Sequence, residues 1–178
     1  MKKIIVLLCS ILIFSYMIKS NDSKEVVIPD EAIRFRVVAA SNTIYDQNVK
    51  IQVRNEVQNR ILELLKNVES INDTRRIINE HKEELSKVVN NKLKNIGYDK
   101  KYTVNYGYNY FPKKKYKGIT YKEGNYESLV ITLGEGKGEN FWCVLFPPLC
   151  LIEANDNNKE DVEYKFFVKE IIDKYLKK

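Results

Sequence analysis

The hydrophobic period of the sequence changes near residue 100, and this change constrains the fold more than any other feature. Between residues 46 and 96, apolar residues recur every three or four positions, which is typical of amphipathic helices. From Tyr102 to Tyr110 the period becomes two, with aromatic residues at the even positions, which is typical of a strand. Helices and strands grouped in this way, without strict alternation, predict the α+β class.

The order of the predicted elements gives an architecture. The strands are expected at 33–39, 102–110, 119–121, 126–133 and 141–146, and the helices at about 46–68, at 70–96 with Gly97 as the terminating residue, and after residue 156. In the first strand Arg34 and Arg36 alternate with apolar residues, which indicates one buried face. We therefore expect a mostly antiparallel sheet covered by a two-helix hairpin, with a C-terminal amphipathic helix.

The first twenty residues have the features of an export signal. Lys2 and Lys3 precede an apolar run from Ile4 to Ile18, which as a helix is roughly 22 Å long, short of the ~30 Å hydrocarbon core. We interpret residues 1–20 as a signal peptide or an N-terminal signal anchor, and the sequence leaves cleavage open. Residues 21–29 are predicted to be a tether, and residues 30–178 a single exported domain. An uncleaved segment would contact the membrane.

Composition and charge exclude several classes of protein. The chain has 178 residues, 44% hydrophobic and 30% charged, which excludes a disordered tail, a collagen-like fibre and a multi-span membrane protein. Three of the six net positive charges lie in the first twenty residues, so we expect no nucleic-acid partner. The tyrosine-rich stretch also carries lysines at positions 100, 101, 113, 114, 115, 117 and 122. We interpret these lysines first as protection of a sheet edge. The second interpretation is a surface for an anionic membrane or wall polymer, and the third is a nucleic-acid groove.

The residues that carry chemistry are few. His81 is the only histidine and is predicted to lie mid-helix among charged residues, on a solvated face. The Gly134 to Gly138 segment precedes a strand and not a helix, so it does not match a phosphate-binding loop. We interpret it as a hairpin loop that requires positive φ, or as a mobile loop that binds a partner. No catalytic, cofactor-binding or metal-binding residues are predicted, so we expect no enzyme and no cofactor.

Cys143 and Cys150 lie close together in the sequence of a chain that is predicted to be exported. A disulfide and two buried thiols are both compatible with this pattern. A bridge over so short a loop would stabilise the fold by roughly 2–3 kcal/mol.

Several separate motifs resemble a known family. They are Ile33 to Asn42, Asp46-Gln47, Lys50, Val53-Arg54, Tyr126 to Leu129, and Trp142 to Cys150 behind the glycine segment. In this order they resemble the family of stage II sporulation protein R, over about residues 32–152. The chain departs from the family pattern at Ala40, Asn55 and Phe141.

The resemblance implies a signalling protein of endospore formation. Such a protein is made in the forespore and exported to the intermembrane space, where it activates a membrane-embedded aspartic protease that processes pro-sigma-E in the mother cell. The expected receptor contacts are Glu135, Lys137, Trp142, Phe146, Pro147 and Pro148. Burial of Trp142 and Phe146 in the core is the alternative for those two. Two other functions stay open, a wall-acting enzyme that uses Glu127 and Glu135, and a polymer-binding envelope module.

Overall fold

The computed structural model describes residues 26–116, 119–150 and 161–176. The predicted signal segment, residues 1–20, lies outside the described residues. Among the described residues, no helix is both long and apolar enough to cross a membrane. The elements are β1 (Val26–Val27), β2 (Ile33–Val38), α1 (Ile44–Leu65), α2 (Ile71–Glu80), α3 (Lys82–Asn95), β3 (Tyr102–Phe111), β4 (Lys114–Tyr116), β5 (Ile119–Tyr121), β6 (Gly124–Leu133), β7 (Asn140–Phe146) and α4 (Asp161–Leu176). The predicted α+β class is confirmed.

Hydroxyl side chains cap the starts of α1 and α2, and a glycine follows the end of α3. Thr43 caps α1, and its hydroxyl accepts a hydrogen bond from the Asp46 amide at 3.2 Å. Ser70 caps α2 in the same way through the Asp73 amide at 3.0 Å. Gly97 has a φ of 67° and follows α3, while the Tyr98 amide donates to the Leu93 carbonyl at 2.9 Å. The predicted glycine terminus of the second helical region is therefore confirmed, as a Schellman motif.

The second helical region is interrupted at His81, where the sequence predicts one continuous helix. His81 has φ −101° and ψ 9°, so α2 ends there and α3 begins at the next residue. Its Nδ1 atom lies 2.7 Å from Glu84 Oε2 on the first turn of α3. The residue therefore connects two helices and does not lie within one, and its ring is partly exposed as expected.

The main sheet has four strands in the order β3-β6-β2-β7. β6 is antiparallel to β3 and parallel to β2, and β7 is antiparallel to β2. A second, small sheet has the order β1-β5-β4, with β4 antiparallel and β1 parallel to β5. Most pairings are antiparallel, as the sequence predicts. The prediction of a β6–β7 hairpin is wrong, because β2 lies between these two strands.

One face of the main sheet is covered by the helices and contains the main core. The inward residues Phe35 of β2 and Leu129 of β6 are fully buried, as are Val53 of α1 and Leu85 of α3. Tyr102 and Tyr106 pack against this core, whereas Tyr108 and Tyr110 are exposed. Only part of the tyrosine face of β3 therefore packs the sheet.

The other face of the sheet is also partly covered, by β1, β5 and α4. A second apolar cluster joins Val144 of β7 to Ile119 of β5 and Val168 of α4. Ile28, which the sequence assigns to the tether, is fully buried in this cluster. The strand β2 is therefore buried on both faces and not on one, and Arg34 lies on the second face with only 2% of its surface exposed.

Candidate functional site

The glycine segment crosses the end of β2 on its way from β6 to β7, and backbone hydrogen bonds hold it there. The Lys137 and Gly138 amides donate to the Ala40 and Ala39 carbonyls at 3.2 and 2.9 Å. Gly134 and Gly136 have φ values of 55° and 65°, so the predicted need for positive φ is confirmed. A Cβ on Gly138 would lie 2.3 Å from the Ser41 carbonyl oxygen, so this position has no room for a side chain.

The residues beneath this segment form a hydrogen-bonded cluster around a buried carboxylate. Asp46 accepts hydrogen bonds from Ser41 Oγ at 2.5 Å and from Lys100 Nζ at 2.9 Å. The bond from Ser41 first, and then the bond from Lys100, hold the pKa of Asp46 below its ordinary value. Burial, together with Asp46, raises the pKa of Tyr98 to about 12. Every buried polar group described here has a partner, which is typical of a structural cluster.

The two charged side chains of the predicted contact loop point away from the fold. Glu135 and Lys137 are each 76% exposed, and their charged groups lie 2.6 Å apart. A pair this exposed contributes little to stability. Both side chains are therefore accessible on a backbone that is fixed beneath them, which is an arrangement that a partner can contact without first ordering the loop.

The aromatic residues of the predicted contact segment lie on different faces of the sheet. Simple alternation would place Trp142 and Phe146 together, but Ile33 pairs with Phe146 whereas Arg34 pairs with Val144, so β7 contains a bulge. Phe146 consequently belongs to the helix-side core and is only 2% exposed. Trp142 remains on the opposite face and is partly exposed.

The residues that follow β7 are mostly packed inside. Pro147 is buried and Pro148 is partly exposed. Cys143 and Cys150 are joined by a disulfide in the structure, with Cα atoms 5.6 Å apart. The Cys150 carbonyl accepts a hydrogen bond from Gln58 of α1 at 2.8 Å, which ties the end of the segment to the helices. Of the six predicted contact residues, Glu135 and Lys137 are thus exposed, Trp142 and Pro148 are partly exposed, and Phe146 and Pro147 are buried.

Trp142 belongs to a group that we call the arginine–aromatic cluster, which consists of Arg34, Arg36, Phe111, Tyr126 and Trp142. The guanidinium carbon of Arg34 lies 3.3 Å from the Tyr126 ring centroid, and that of Arg36 lies 4.6 Å from the Trp142 centroid. Phe111 contacts both rings edge-on, with centroids 6.2 Å from Tyr126 and 5.0 Å from Trp142. Alternating cations and rings attract one another through the ring quadrupoles.

The two arginines of this cluster have fewer hydrogen bonds than Asp46, the buried carboxylate near the helices. Arg36 Nη1 donates to the Tyr110 carbonyl at 3.4 Å, but its Nε atom has no partner among the described residues. The Nε and Nη2 atoms of Arg34 are buried and also lack hydrogen-bond partners among the described residues. Burial lowers the pKa of both guanidinium groups. Arg34, with two buried nitrogens that lack a partner, is therefore the stronger candidate of the two for contact with an anionic ligand.

The carboxylates that the enzyme hypothesis requires lie apart. Glu127 of β6 faces the helices and is paired with Arg75, Nη2 to Oε2 at 2.8 Å, while Tyr106 donates to it at 2.7 Å. Burial opposes its ionisation, but these bonds outweigh burial and leave the pKa of Glu127 below its ordinary value. Leu133, at the end of the same strand, lies roughly 20 Å from Glu127 at about 3.3 Å per residue, and Glu135 follows beyond that end. The structure does not bring the two acids together.

Sequence reasoning did not find most of the arginine–aromatic cluster. Arg34 and Arg36 alternate with apolar residues, which usually indicates a solvated strand face. The informative signal is that β2 carries an apolar residue, Val38, on the same face as the arginines. A strand with apolar residues on both faces is typical of the centre of a sheet, where an arginine is buried.

Comparison with known proteins identifies the family. A model of the stage II sporulation protein R family matches residues 29–156. The chain belongs to this family. Stage II sporulation protein R of Bacillus subtilis (strain 168) is 36% identical to it over 138 residues, which are 78% of this chain and 62% of that relative. Membership of the stage II sporulation protein R family assigns the chain to sporulation, and the matched region includes every residue of the arginine–aromatic cluster. No solved structure matches the chain significantly.

Proposed function

We propose that this chain is an exported sporulation signalling protein that is made in the forespore. It activates a membrane-embedded aspartic protease, and that protease processes pro-sigma-E in the mother cell. The observation that carries the proposal is the family match over residues 29–156, which covers every described element except β1 and α4. Because the chain spans 62% of the length of its curated relative, the activity is proposed for this chain and not transferred from that protein.

In this proposal, export carries the protein to the compartment in which it acts. The positive residues Lys2 and Lys3 and the apolar run behind them support translocation across the septal membrane into the intermembrane space. A reporter that is active only outside the cytoplasm, fused after Lys178, should therefore be active. Polar substitutions at Leu7, Leu8 and Leu12 should abolish its activity, and an unchanged reporter signal would contradict export.

The proposed mechanism is binding and not turnover. A ligand that binds the active arrangement of a receptor more tightly than the inactive one shifts the equilibrium by that difference in affinity. The accessible surface of Glu135, Lys137 and Trp142 is fixed on the ends of β6 and β7, so its binding loses little conformational entropy. Occupancy of the receptor then determines how much protease is active.

The test is reconstitution of the full-length protein with the membrane-bound protease and pro-sigma-E. Processing is measured against activator concentration for each folded variant. Trp142→Ala should raise the half-saturating concentration on the order of 30-fold, as for an interface hot spot, and excess protein should restore full processing. Tyr108→Ala is the matched control, because this ring is 76% exposed on the other edge of the sheet.

Catalysis by the chain itself would give a different pattern. Loss of a general acid or base lowers the rate roughly 10²–10⁴-fold even at saturating substrate. His81→Ala and Glu135→Gln should keep the full processing rate at high concentration. Complete loss in either variant at every concentration, with the fold intact, would replace the binding mechanism by a catalytic one.

A further inference from the structure

A pocket of about 350 Å³ opens beside the arginine–aromatic cluster. Phe111, Phe141 and Trp142 form apolar walls, and Arg34, Lys114 and Lys115 are its cationic residues. None of the described residues that line it is acidic. Lys114 is exposed at the rim, with its Nζ atom 5.8 Å from the Trp142 ring centroid. The lining therefore favours a ligand that combines negative charge with apolar groups.

Arg34 provides the most specific feature of the pocket. Its two unpartnered nitrogens, Nε and Nη2, lie on the same edge of the guanidinium plane, and their N–H bonds run parallel. Both atoms are covered in the structure, so a ligand reaches them from the pocket only when neighbouring side chains move aside. This edge is the fork that binds the two oxygens of a carboxylate at once. Tyr126 covers one face of the plane at 3.3 Å, which fixes the orientation of the fork.

One acid lies near Arg34 and favours its charged form. This acid is Asp30, whose Oδ1 atom lies 3.4 Å from the Tyr126 hydroxyl, and that hydroxyl lies 3.3 Å from the Glu123 carbonyl oxygen as well. Among the described residues, no hydrogen bond joins Asp30 to the Nε or Nη2 atom of Arg34. Burial outweighs the attraction of Tyr126 and Asp30 and lowers the pKa of Arg34, so a ligand carboxylate hydrogen-bonded to the fork would stabilise the cation further.

We propose that this pocket binds the carboxylate of an aspartate or glutamate within an apolar peptide segment of a partner protein. The charge is complementary, the fork matches a planar two-oxygen group, and the aromatic walls accommodate the apolar neighbours of the acid. The inference deepens the proposed function and rests on it for the partner being a protein. Phosphate groups share the negative charge but not the planar shape, and the experiment separates them.

The chain contains its own reporter for this test. Trp142 is the only tryptophan in the sequence and lines the pocket, so the fluorescence of the full-length protein should change when the pocket is filled. The probes are a capped pentapeptide with a central glutamate flanked by leucines and the same peptide with glutamine. The glutamate peptide should bind saturably and on the order of 30-fold more tightly than the glutamine peptide, as expected for a buried charge pair.

Variants then assign the effect to the fork. Arg34→Lys keeps the charge but removes the fork and should weaken the glutamate peptide about tenfold, with little effect on the glutamine peptide. Lys114→Ala at the rim tests the pocket without disturbing a buried residue, and it should weaken binding about threefold and reduce its salt dependence. Arg76→Lys, an exposed arginine on α2, is the matched control and should change nothing.

Several results would overturn the proposal. Equal affinity for the two peptides would exclude carboxylate recognition, and so would unchanged binding of the glutamate peptide by both Arg34→Lys and Lys114→Ala. Inorganic phosphate, or vesicles with anionic phospholipid, that displaced the peptide at lower concentration would assign the pocket to a phosphate group. Because peptide binding is measured without the protease, its failure would leave protease activation untouched, and a failed reconstitution would leave the peptide result standing.

Discussion

The two sides of the four-stranded sheet differ in how their buried charges are satisfied. On the side of the helices, Asp46 and Glu127 are each held by two or more hydrogen-bonding side chains, and both keep pKa values below the ordinary ones. On the opposite side, Arg34 is as buried as Asp46 but keeps two nitrogen atoms without a hydrogen-bond partner among the described residues. Paired groups of the first kind stabilise a fold, whereas groups of the second kind keep hydrogen-bonding capacity that a ligand satisfies once the side chains covering them move aside.

The same contrast separates the two parts of the predicted contact surface. Backbone geometry explains the glycines of the glycine segment, because Gly134 and Gly136 have positive φ and Gly138 closely approaches Ser41. The pocket beside Trp142 has no such structural explanation for its unpaired cation. We therefore expect substitutions on the helix side to change stability, and substitutions in the pocket to change binding.

The largest effect is expected in the helix-side core. Phe35→Ala removes a fully buried ring and should lower the free energy of unfolding by about 3–5 kcal/mol. Phe166→Ala is the matched control, because that ring is 70% exposed on α4, and it should change stability by less than about 0.5 kcal/mol. Urea unfolding followed by circular dichroism measures both, and equal losses would contradict the assignment of this side as the core.

The next effect concerns the Cys143–Cys150 disulfide, which closes a short loop at the boundary of the two sides. Replacing both cysteines by serine should lower the unfolding free energy by about 2–3 kcal/mol, because the unfolded chain regains the entropy of the open loop. Reduction of the unmodified protein should give the same loss. Alkylation of both thiols in denatured protein that was never reduced would show instead that the exported chain lacks the bridge.

The sequence is sufficient to predict the elements that local patterns determine. Thr43, Ser70 and Gly97 mark helix ends through interactions within a few residues, and these positions agree with the structure. The break at His81 was not predicted, since apolar residues continue the helical period on both sides of it. Short segments such as β1 and β4 were also missed, because a strand of two or three residues has too little pattern to detect.

Relations between distant segments explain the remaining differences. The insertion of β2 between β6 and β7 depends on a pairing across about a hundred residues, which no local period encodes. The bulge that separates Trp142 from Phe146 arises from that pairing. The burial of Arg34 depends on Tyr126, Phe111 and the small sheet, all of which are remote in sequence. The pocket was therefore visible only in the structure.

A smaller effect should follow from the buried carboxylate on the helix side. Asp46→Asn removes the ion pair with Lys100 and should lower the unfolding free energy by about 1–3 kcal/mol at pH 7. Because the pKa of Asp46 is lowered in the folded state, its stabilisation is present above the ordinary pKa near 4 and is lost as the pH falls through the lower folded value.

The pH dependence provides the control for that variant. The difference in stability between the unmodified protein and Asp46→Asn should therefore shrink as the pH falls below about 4. Asp99→Asn, at an exposed aspartate in the neighbouring loop, should give curves that overlay those of the unmodified protein. A difference that stays constant down to low pH would show that Asp46 contributes by packing and not by its charge.

The smallest change in stability is expected at Arg34, the buried cation of the arginine–aromatic cluster. Arg34→Met replaces the cation with an apolar side chain of similar length, which removes two unpaired buried N–H groups and retains contact with Tyr126. Replacing a buried charge by an apolar side chain is often neutral or stabilising, so we expect a change within about 1 kcal/mol of zero or an increase in stability. The lost cation–π contact, worth up to about 2 kcal/mol, opposes that gain. The same variant should lose the preference for the glutamate peptide over the glutamine peptide. Unfolding measurements beside the peptide titration therefore separate the two roles: a loss of stability as large as that of Phe35→Ala would make Arg34 a structural residue like those on the helix side.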